Sequence, residues 1–432
     1  MTSNYKSIKS EIVDGFCCAA LNHYSFDQLA YNLFEKNIDD FYGIPRPSKW
    51  MKKNGGMQNI LKPTAWWVRF FWRHCLAYLF FIKYFLIYFF NKKSFNCDSW
   101  IDTKKVLSLA ICSRSITVIN QALVDDEEKT WLTFPWENVV NLIGHGNSRV
   151  IDCISVLSRK QLVHALFSAF AAHGNLKKCD NVNMIMQSYT AFDWAVVYMA
   201  IKNLAPNVLT TSEHHDRWAV LVDTYCSNML KSNGKVGFNL VQHGLEYEQT
   251  YIEMANNTKC DGLPYKLKCV TDIYLYSKEQ CVIFNKNIIS KNYHNKIINV
   301  FYFKPKINVY DSEVDRRVKI LFIGHTACED LQVRIYNHVS KIFDFSFFYK
   351  PHPTAKMHKE LFGLGWQIVE GKLNFPKVDF LISYQSTLID EYKEIGVDAF
   401  VHPMILSDND FDITMSRLVA RLKEVSGVNY SS

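Results

Sequence analysis

Between Val182 and Gly244 short apolar runs alternate with amphipathic segments, and this alternation limits the fold more than any other feature of the chain. "VNMIMQS" (Val182 to Ser188) reads as a buried strand, and Phe192 to Asn203 follows with helical character. "NVLTTS" (Asn207 to Ser212) reads as a second strand, ending in the polar loop "EHHDRW". Trp218 to Leu230 is a second helix, and "GFNLVQHG" (Gly237 to Gly244) is a third strand ending in a polar turn. Parallel neighbours need a crossover, which a helix supplies, so the pattern predicts a parallel sheet.

The second half repeats this logic. "TDIYLYS", "IINVFYF", "VKILFIG", "FSFFYK", "WQIVEG", "VDFLIS" and "DAFVHP" read as strands, with helices near Cys328 to Lys341 and in "STLIDEYKEIG". A chain of 432 residues can form two or three domains with real cores. The expected fold is α/β, with two Rossmann-like domains facing each other across a cleft. The divisions are an aromatic-rich helical region over 1–105, a Rossmann-like domain over 106–260, a connecting segment over 261–315, and a second Rossmann-like domain over 316–432. The helix "MSRLVARLKEV" would close the chain by packing back across the interface.

Composition restricts the partners. Apolar residues make up 48% and charged residues 21%, which is globular rather than disordered. A net charge of +7 suits an anionic ligand or membrane surface. The chain has no dense basic block and no nucleic-acid-binding pattern, so no nucleic-acid partner is expected. The twelve cysteines include no C-x-x-C pair and no zinc spacing. The first residues lack a signal-peptide apolar core, which gives reduced thiols and a cytoplasmic location. Ala65 to Phe90 is densely aromatic, yet Arg69, Arg73, His74 and Lys83 interrupt it before an apolar run reaches the roughly 18 residues of a span. At about 100° per residue Lys62, Arg69, Arg73 and Lys83 share one arc, so this helix suits either a membrane interface or a core position with a solvated basic edge.

Four motifs could carry chemistry. In "FFYKPHPTAK" both Lys350 and His352 precede prolines, which drives them to extended geometry and holds His352 just beyond a strand end. Ligands bind at that edge of open α/β sheets, where His352 can donate to a phosphate with Lys350 close by. In "SYQSTLIDEYKEIG" a helix starts near Ser386 or Thr387, and Thr387 with Asp390 resembles a capping box. Its free amides and hydroxyls also suit phosphate, and this loop is expected to follow a strand neighbouring that of His352. "LVQHGLEYE" puts His243 and Glu246 past another strand. "SEHHDRWAV" crowds Glu213, His214, His215, Asp216 and Arg217 into one loop. Such density suits acid–base work, although a helix start with Ser212 as cap and Asp216 in the first turn explains it equally. Adjacent histidines are poor ligands for one ion, and no metal site is expected.

Together, "KPHP", "SYQSTLIDE" and an upstream "QHG" resemble the GT-B glycosyltransferases of bacterial surface-polysaccharide assembly. That group includes the Kdo and polysialic acid transferases of capsule and lipopolysaccharide and the teichoic-acid-type polyol-phosphate transferases. The resemblance spans about Asn181 to Pro403, and the sialyltransferase acidic motif is missing. It implies that the C-terminal domain holds the phosphate of a cytidine nucleotide through His352 and Ser386 or Thr387, with Lys350 assisting and Glu391 a candidate for the ribose. It also implies an N-terminal acceptor domain, with Glu213, Asp216, His243 and Glu246 as catalytic candidates. A metal-independent transfer of a Kdo-like sugar from a CMP donor to a glycan or glycolipid, with no cofactor and at the inner-membrane surface, is the resulting expectation. The alternatives are a CDP-polyol phosphotransferase and a non-catalytic membrane-bound scaffold.

Overall fold

The computed structural model describes residues 2–33, 70–92, 106–123, 129–134, 148–179, 184–258, 262–290, 298–304, 306–311, 316–325, 328–352, 359–371 and 374–427. Two compact units divide the chain at 1–303 and 304–432. Both are built on parallel sheets, so the α/β class and the two Rossmann-like units stand.

In the first unit the helices are α1 (Thr2–Leu33), α2 (Ala77–Asn91), α3 (Ser113–Ala122), α4 (Arg159–Leu176), α5 (Ala191–Leu204), α6 (Arg217–Lys231), α7 (Glu248–Thr258) and α8 (Lys278–Asn287). Its strands are β1 (Val106–Ala110), β2 (Thr130–Thr133), β3 (Arg149–Asp152), β4 (Val208–Thr211), β5 (Gly237–Val241), β6 (Asp272–Leu275) and β7 (Asn299–Tyr302). They form one sheet in the order β3-β2-β1-β4-β5-β6-β7, with every pair parallel. The segment 261–315 is therefore more than a connection: β6 and β7 complete the first sheet, because Asn239 to Val241 pairs in register with Asp272 to Tyr274. "VNMIMQS" is not a strand either. Met184–Thr190 forms a 3₁₀ turn that is buried from Met184 to Ser188, and a short apolar run does not distinguish the two geometries.

The N-terminal region belongs to this unit. Helix α1 packs on α4 and α6, burying Ile12, Val13 and Phe16. The approach is close at Gly15, where a Cβ would lie 2.6 Å from Thr224 Cγ2 and 2.8 Å from Trp194. Helix α2 is preceded by a π-helical turn, Trp72–Leu76, and both pack on α4. That turn breaks the basic arc: Arg73 rotates onto the unit's surface and donates to Lys177 O at 2.8 Å. Lys62 and Arg69 lie outside the described residues. Among the described residues Trp72–Asn91 is long and apolar enough, by length and composition, to cross a membrane, although Arg73, His74 and Lys83 interrupt its apolar run.

The second unit contains β8 (Val309–Tyr310), β9 (Lys319–Ile323), α9 (Glu329–Val339), β10 (Ser346–Lys350), β11 (Gln367–Ile368), β12 (Phe375–Pro376), β13 (Phe380–Ser383), α10 (Thr387–Lys393), β14 (Asp398–Val401) and α11 (Asp408–Val425). Its main sheet runs β11-β10-β9-β13-β14, and β12 pairs separately with β8. Helix α11 buries Met415, Leu418 and Leu422 in the core of its own unit, against α9, so its apolar face is already used there.

Alanine is the better helix former by about 1 kcal/mol, yet Gly15→Ala is expected to destabilise by about 1–3 kcal/mol because the new methyl overpacks Thr224 and Trp194. Urea unfolding measures this, and a stabilised variant would mean that α1 does not pack here.

Candidate functional site

In the first sheet the chain runs outward from β1 to β3, then resumes on the other side of β1 at β4. Such a reversal opens a crevice at the carboxyl ends of the two strands. The loops after β4 and β5 meet at this edge around one buried carboxylate. Glu246 is only 8% exposed. Its Oε1 accepts a hydrogen bond from His214 Nδ1 at 2.8 Å and lies 3.4 Å from His215 Nδ1, while Oε2 accepts from the Tyr251 hydroxyl at 2.8 Å. Gln280 fixes the loop by accepting from the Glu246 amide and donating to its carbonyl, and Gln242 donates to Gln280 in turn.

These bonds assign the protons. His214 Nε2 accepts the His243 amide at 2.9 Å, so His214 carries its proton on Nδ1 and gives it to Glu246. His243 Nδ1 donates to the Ser212 carbonyl, which leaves the His243 lone pair on Nε2. Burial pushes His214 down to about 4, with His243 adding to the effect, so it stays neutral. Burial likewise lowers His243. Burial also works against charging His215, but the Glu246 carboxylate outweighs it and raises that imidazole above its ordinary value. Burial would raise Glu246, and the two histidines instead hold it well below the usual carboxylate range. Glu246 thus stays ionised beside a neutral His214, and its charge favours protonation of His215. Phe26 of α1 stacks on His215 with centroids 3.8 Å apart, and Asn22 donates to the His215 carbonyl.

Next along this loop, Asp216 is itself the N-cap of α6, accepting from the amides of Trp218 at 2.7 Å and Ala219 at 3.2 Å. The cap expected at Ser212 is therefore displaced by four residues. Desolvation first, and then the neighbouring Glu213 carboxylate, push Asp216 up to about 7 despite its two amide donors. Glu213 stands three residues before Asp216 in this loop, and its charge favours the protonated form of the Asp216 carboxyl.

All four catalytic candidates lie on this edge, but Glu246 has a different part from the one anticipated. Its two oxygens accept from His214 and Tyr251, and Oε1 also faces His215, so it positions the side chains of this edge. His215 is the residue that sequence reasoning passed over; the crowded "EHHDRW" loop signalled it, but only the fold brings Glu246 and Phe26 to it. His214, His215 and Glu246 also offer ligand atoms within 4.8 Å of one another, close enough for one ion. The tautomer of His214 opposes this, since its Nδ1 bears a proton and its Nε2 is taken by the His243 amide.

The second sheet reverses order between β9 and β13. His325 follows β9, His352 follows β10 and Tyr384 follows β13. The His325 ring lies 5.1 Å from His352 and 5.2 Å from Tyr384, centroid to centroid. Strand β9 separates β10 from β13, so the loops of His352 and Ser386 are not on adjacent strands and His325 stands between them. It was missed because "FIGHT" has no distinguishing spacing. Burial, and then His352, push His325 down to about 4; burial lowers His352. Both rings are neutral hydrogen-bonding groups at pH 7.

Other candidates here are placed differently from expectation. Lys350 is 4% exposed, and its ammonium donates to the Gly371 carbonyl and lies 5.4 Å from the Phe375 ring centre, so it holds the loop after β11. Ser386 is the N-cap of α10 and accepts the Leu388 amide at 3.4 Å. With the cap at Ser386, Asp390 sits one position too late for a capping box, and Thr387 is the first residue of the helix. Glu391 is 1% exposed and surrounded by protein instead of being presented to a ribose.

No family model matches the sequence, and no curated protein matches it. Solved structures do match. MurG of Acinetobacter baumannii is 12% identical over 74% of this chain and 83% of its own, with a TM-score of 0.34. UDP-N-acetylglucosamine 2-epimerase from Rickettsia bellii is 10% identical over 75% and 88%, at 0.40. The glycosyltransferase VinC, in complex with dTDP, is 10% identical over 74% and 90%, at 0.38. With scores this low, the fold class stated above rests on the observed strand order.

The charged pair predicts a titration. His215 should show a pKa above 6.5 by imidazole NMR, and Glu246→Gln should lower it because the main group opposing burial is then removed. Stability follows with a definite sign. The depressed Glu246 contributes stability above its unfolded value of about 4.5, and this is lost as the pH falls; the raised His215 contributes below about 6.5 and loses it as pH rises through its folded value. Wild-type stability relative to Glu246→Gln should therefore be greatest between about pH 5 and 6.5.

Proposed function

We propose that the chain is a metal-independent GT-B glycosyltransferase that moves a sugar from a CMP-activated donor, a Kdo-like 2-keto acid, to a glycan or glycolipid of a bacterial surface. The observation that carries this reading is that each Rossmann-like unit gathers imidazoles at the carboxyl edge of its parallel sheet, after β4 and β5 in the first and after β9 and β10 in the second. In the second unit, His352 and His325 are neutral donors suited to a phosphate, with the hydroxyls of Ser386 and Thr387 at the start of α10. Donors fixed before the reaction stabilise the charge that develops on a departing CMP phosphate. In the first unit, the Glu213–Asp216 pair accepts the proton of the acceptor hydroxyl. A carboxyl poised near 7 is well matched to that task at neutral pH. The ten described cysteines are all free thiols, in keeping with a cytoplasmic enzyme.

Thermal unfolding with CMP, CDP, UDP, GDP and ADP tests the donor. CMP or CDP should raise the midpoint, and His352→Ala or His325→Ala should abolish the rise. A UDP or GDP preference rejects the cytidine assignment; no response to any nucleotide rejects the enzyme reading. Product mass separates glycosyl from polyol-phosphate transfer, and turnover should survive EDTA.

The proton acceptor has its own test. Asn is a good N-cap, so Asp216→Asn should leave the melting temperature nearly unchanged while lowering kcat by roughly 10²-fold or more. The acid limb of kcat/KM should fall near pH 7 in the wild type and shift downward in Glu213→Gln, because removing the neighbouring charge favours ionisation of Asp216. An unmoved limb would assign the proton to another group.

A further inference from the structure

Helix α2 and the turn before it have two unlike faces. The inner face is tied to the first unit. Trp72 Nε1 donates to Ser188 at 3.0 Å, the Tyr88 hydroxyl donates to Asp193 at 2.7 Å, and Phe81 is fully buried. The outer face carries Leu79, Ile82, Leu86, Ile87 and Phe90, with exposures from 38% to 76%. Lys83 is the one charged side chain among them, and no Asp or Glu occurs anywhere between 70 and 91. Phe167 of α4, 54% exposed, extends the apolar patch sideways, since α2 and α4 pack together and Phe170 touches both Phe167 and Tyr78.

Cations border this patch at both ends. Arg159 lies over Phe89 with 5.0 Å to the ring centre, and Lys92 donates to the Ser155 carbonyl nearby. At the other end Lys177 lies over Tyr78, and Arg73 donates to the Lys177 carbonyl. An apolar strip roughly 17 Å long with a cationic border is complementary to a lipid surface: side chains enter the acyl boundary while the long basic stems reach the phosphates.

We propose that this face is a docking surface for an anionic lipid bilayer, and that α2 lies in the plane of the membrane instead of crossing it. A spanning helix would have to give up the Trp72, Tyr88 and Phe81 contacts, which fix it along the flank of the unit. The assignment does not depend on the reaction proposed above.

Co-sedimentation of the full chain with vesicles tests it. The protein should bind vesicles of mixed phosphatidylcholine and phosphatidylglycerol, bind phosphatidylcholine alone much more weakly, and be released by alkaline carbonate. Leu79→Ser/Leu86→Ser/Phe90→Ser should weaken binding by about tenfold or more while leaving the melting curve intact, because these side chains are already exposed. Lys83→Glu/Arg159→Glu should remove the preference for anionic lipid. Failure of the wild type to bind, or equal binding by the triple variant, overturns the proposal. Resistance to carbonate would overturn the in-plane placement in favour of a span. A wild-type dimer that the triple variant dissociates, with no change in vesicle binding, would assign the face to a second copy.

Discussion

The Glu246 carboxylate is the interaction on which the first unit's carboxyl edge depends. A charge this deeply buried is tolerated only when donors surround it, and breaking such a pair costs about 3–5 kcal/mol. His214 from the loop after β4 and Tyr251 from α7 provide those donors, and His215 lies alongside at 3.4 Å. Each is fixed in return. His214 is locked as one tautomer, that tautomer accepts the His243 amide, and His215 is stacked against Phe26. The loops after β4 and β5 are consequently joined by one chain of hydrogen bonds, and α1 closes it through Asn22 and Phe26.

A second constraint is strand order. Both sheets reverse direction of growth partway across, between β1 and β4 and between β9 and β13. Loops on the two sides of a reversal leave the sheet in opposite directions, which opens space for a ligand without any cavity being cut into the core. In both units the residues beside that space are imidazoles with shifted titration. In the first, a carboxylate raises one ring; in the second, burial, joined at His325 by the neighbouring His352, keeps both rings neutral. That difference suits the two edges to different work, charge and proton transfer at one and neutral donation at the other.

Much of the fold could be read from the chain. Strands such as "NVLTTS", "VKILFIG" and "VDFLIS" combine short apolar runs with polar ends, and all occur where periodicity puts them. Errors arose where one local pattern fits two geometries. "VNMIMQS" is apolar throughout, and a buried 3₁₀ turn satisfies it as well as a strand does. Asp216 and Ser212 are both good caps four residues apart, and only the backbone direction after β4 selects Asp216. The basic arc over Lys62 to Lys83 assumed uninterrupted α-helix, and the π-turn at Trp72–Leu76 rephased it.

The sequence by itself determined the class of the fold, the order of its elements and which loops would stand at strand ends, because alternation, proline stiffening and helix capping are local properties. It placed Glu213, Asp216, His243 and His352 at ligand-binding edges for that reason. Tertiary structure alone decided what each of them does. Glu246 became a positioning group, His215 an imidazole of raised basicity, Lys350 a loop tether and His325 a neighbour of His352, because a side chain's proton and partners are set by groups far away in the chain. Glu246 lies 31 residues beyond His215, and Phe26 lies 189 residues before it; no local pattern encodes that meeting.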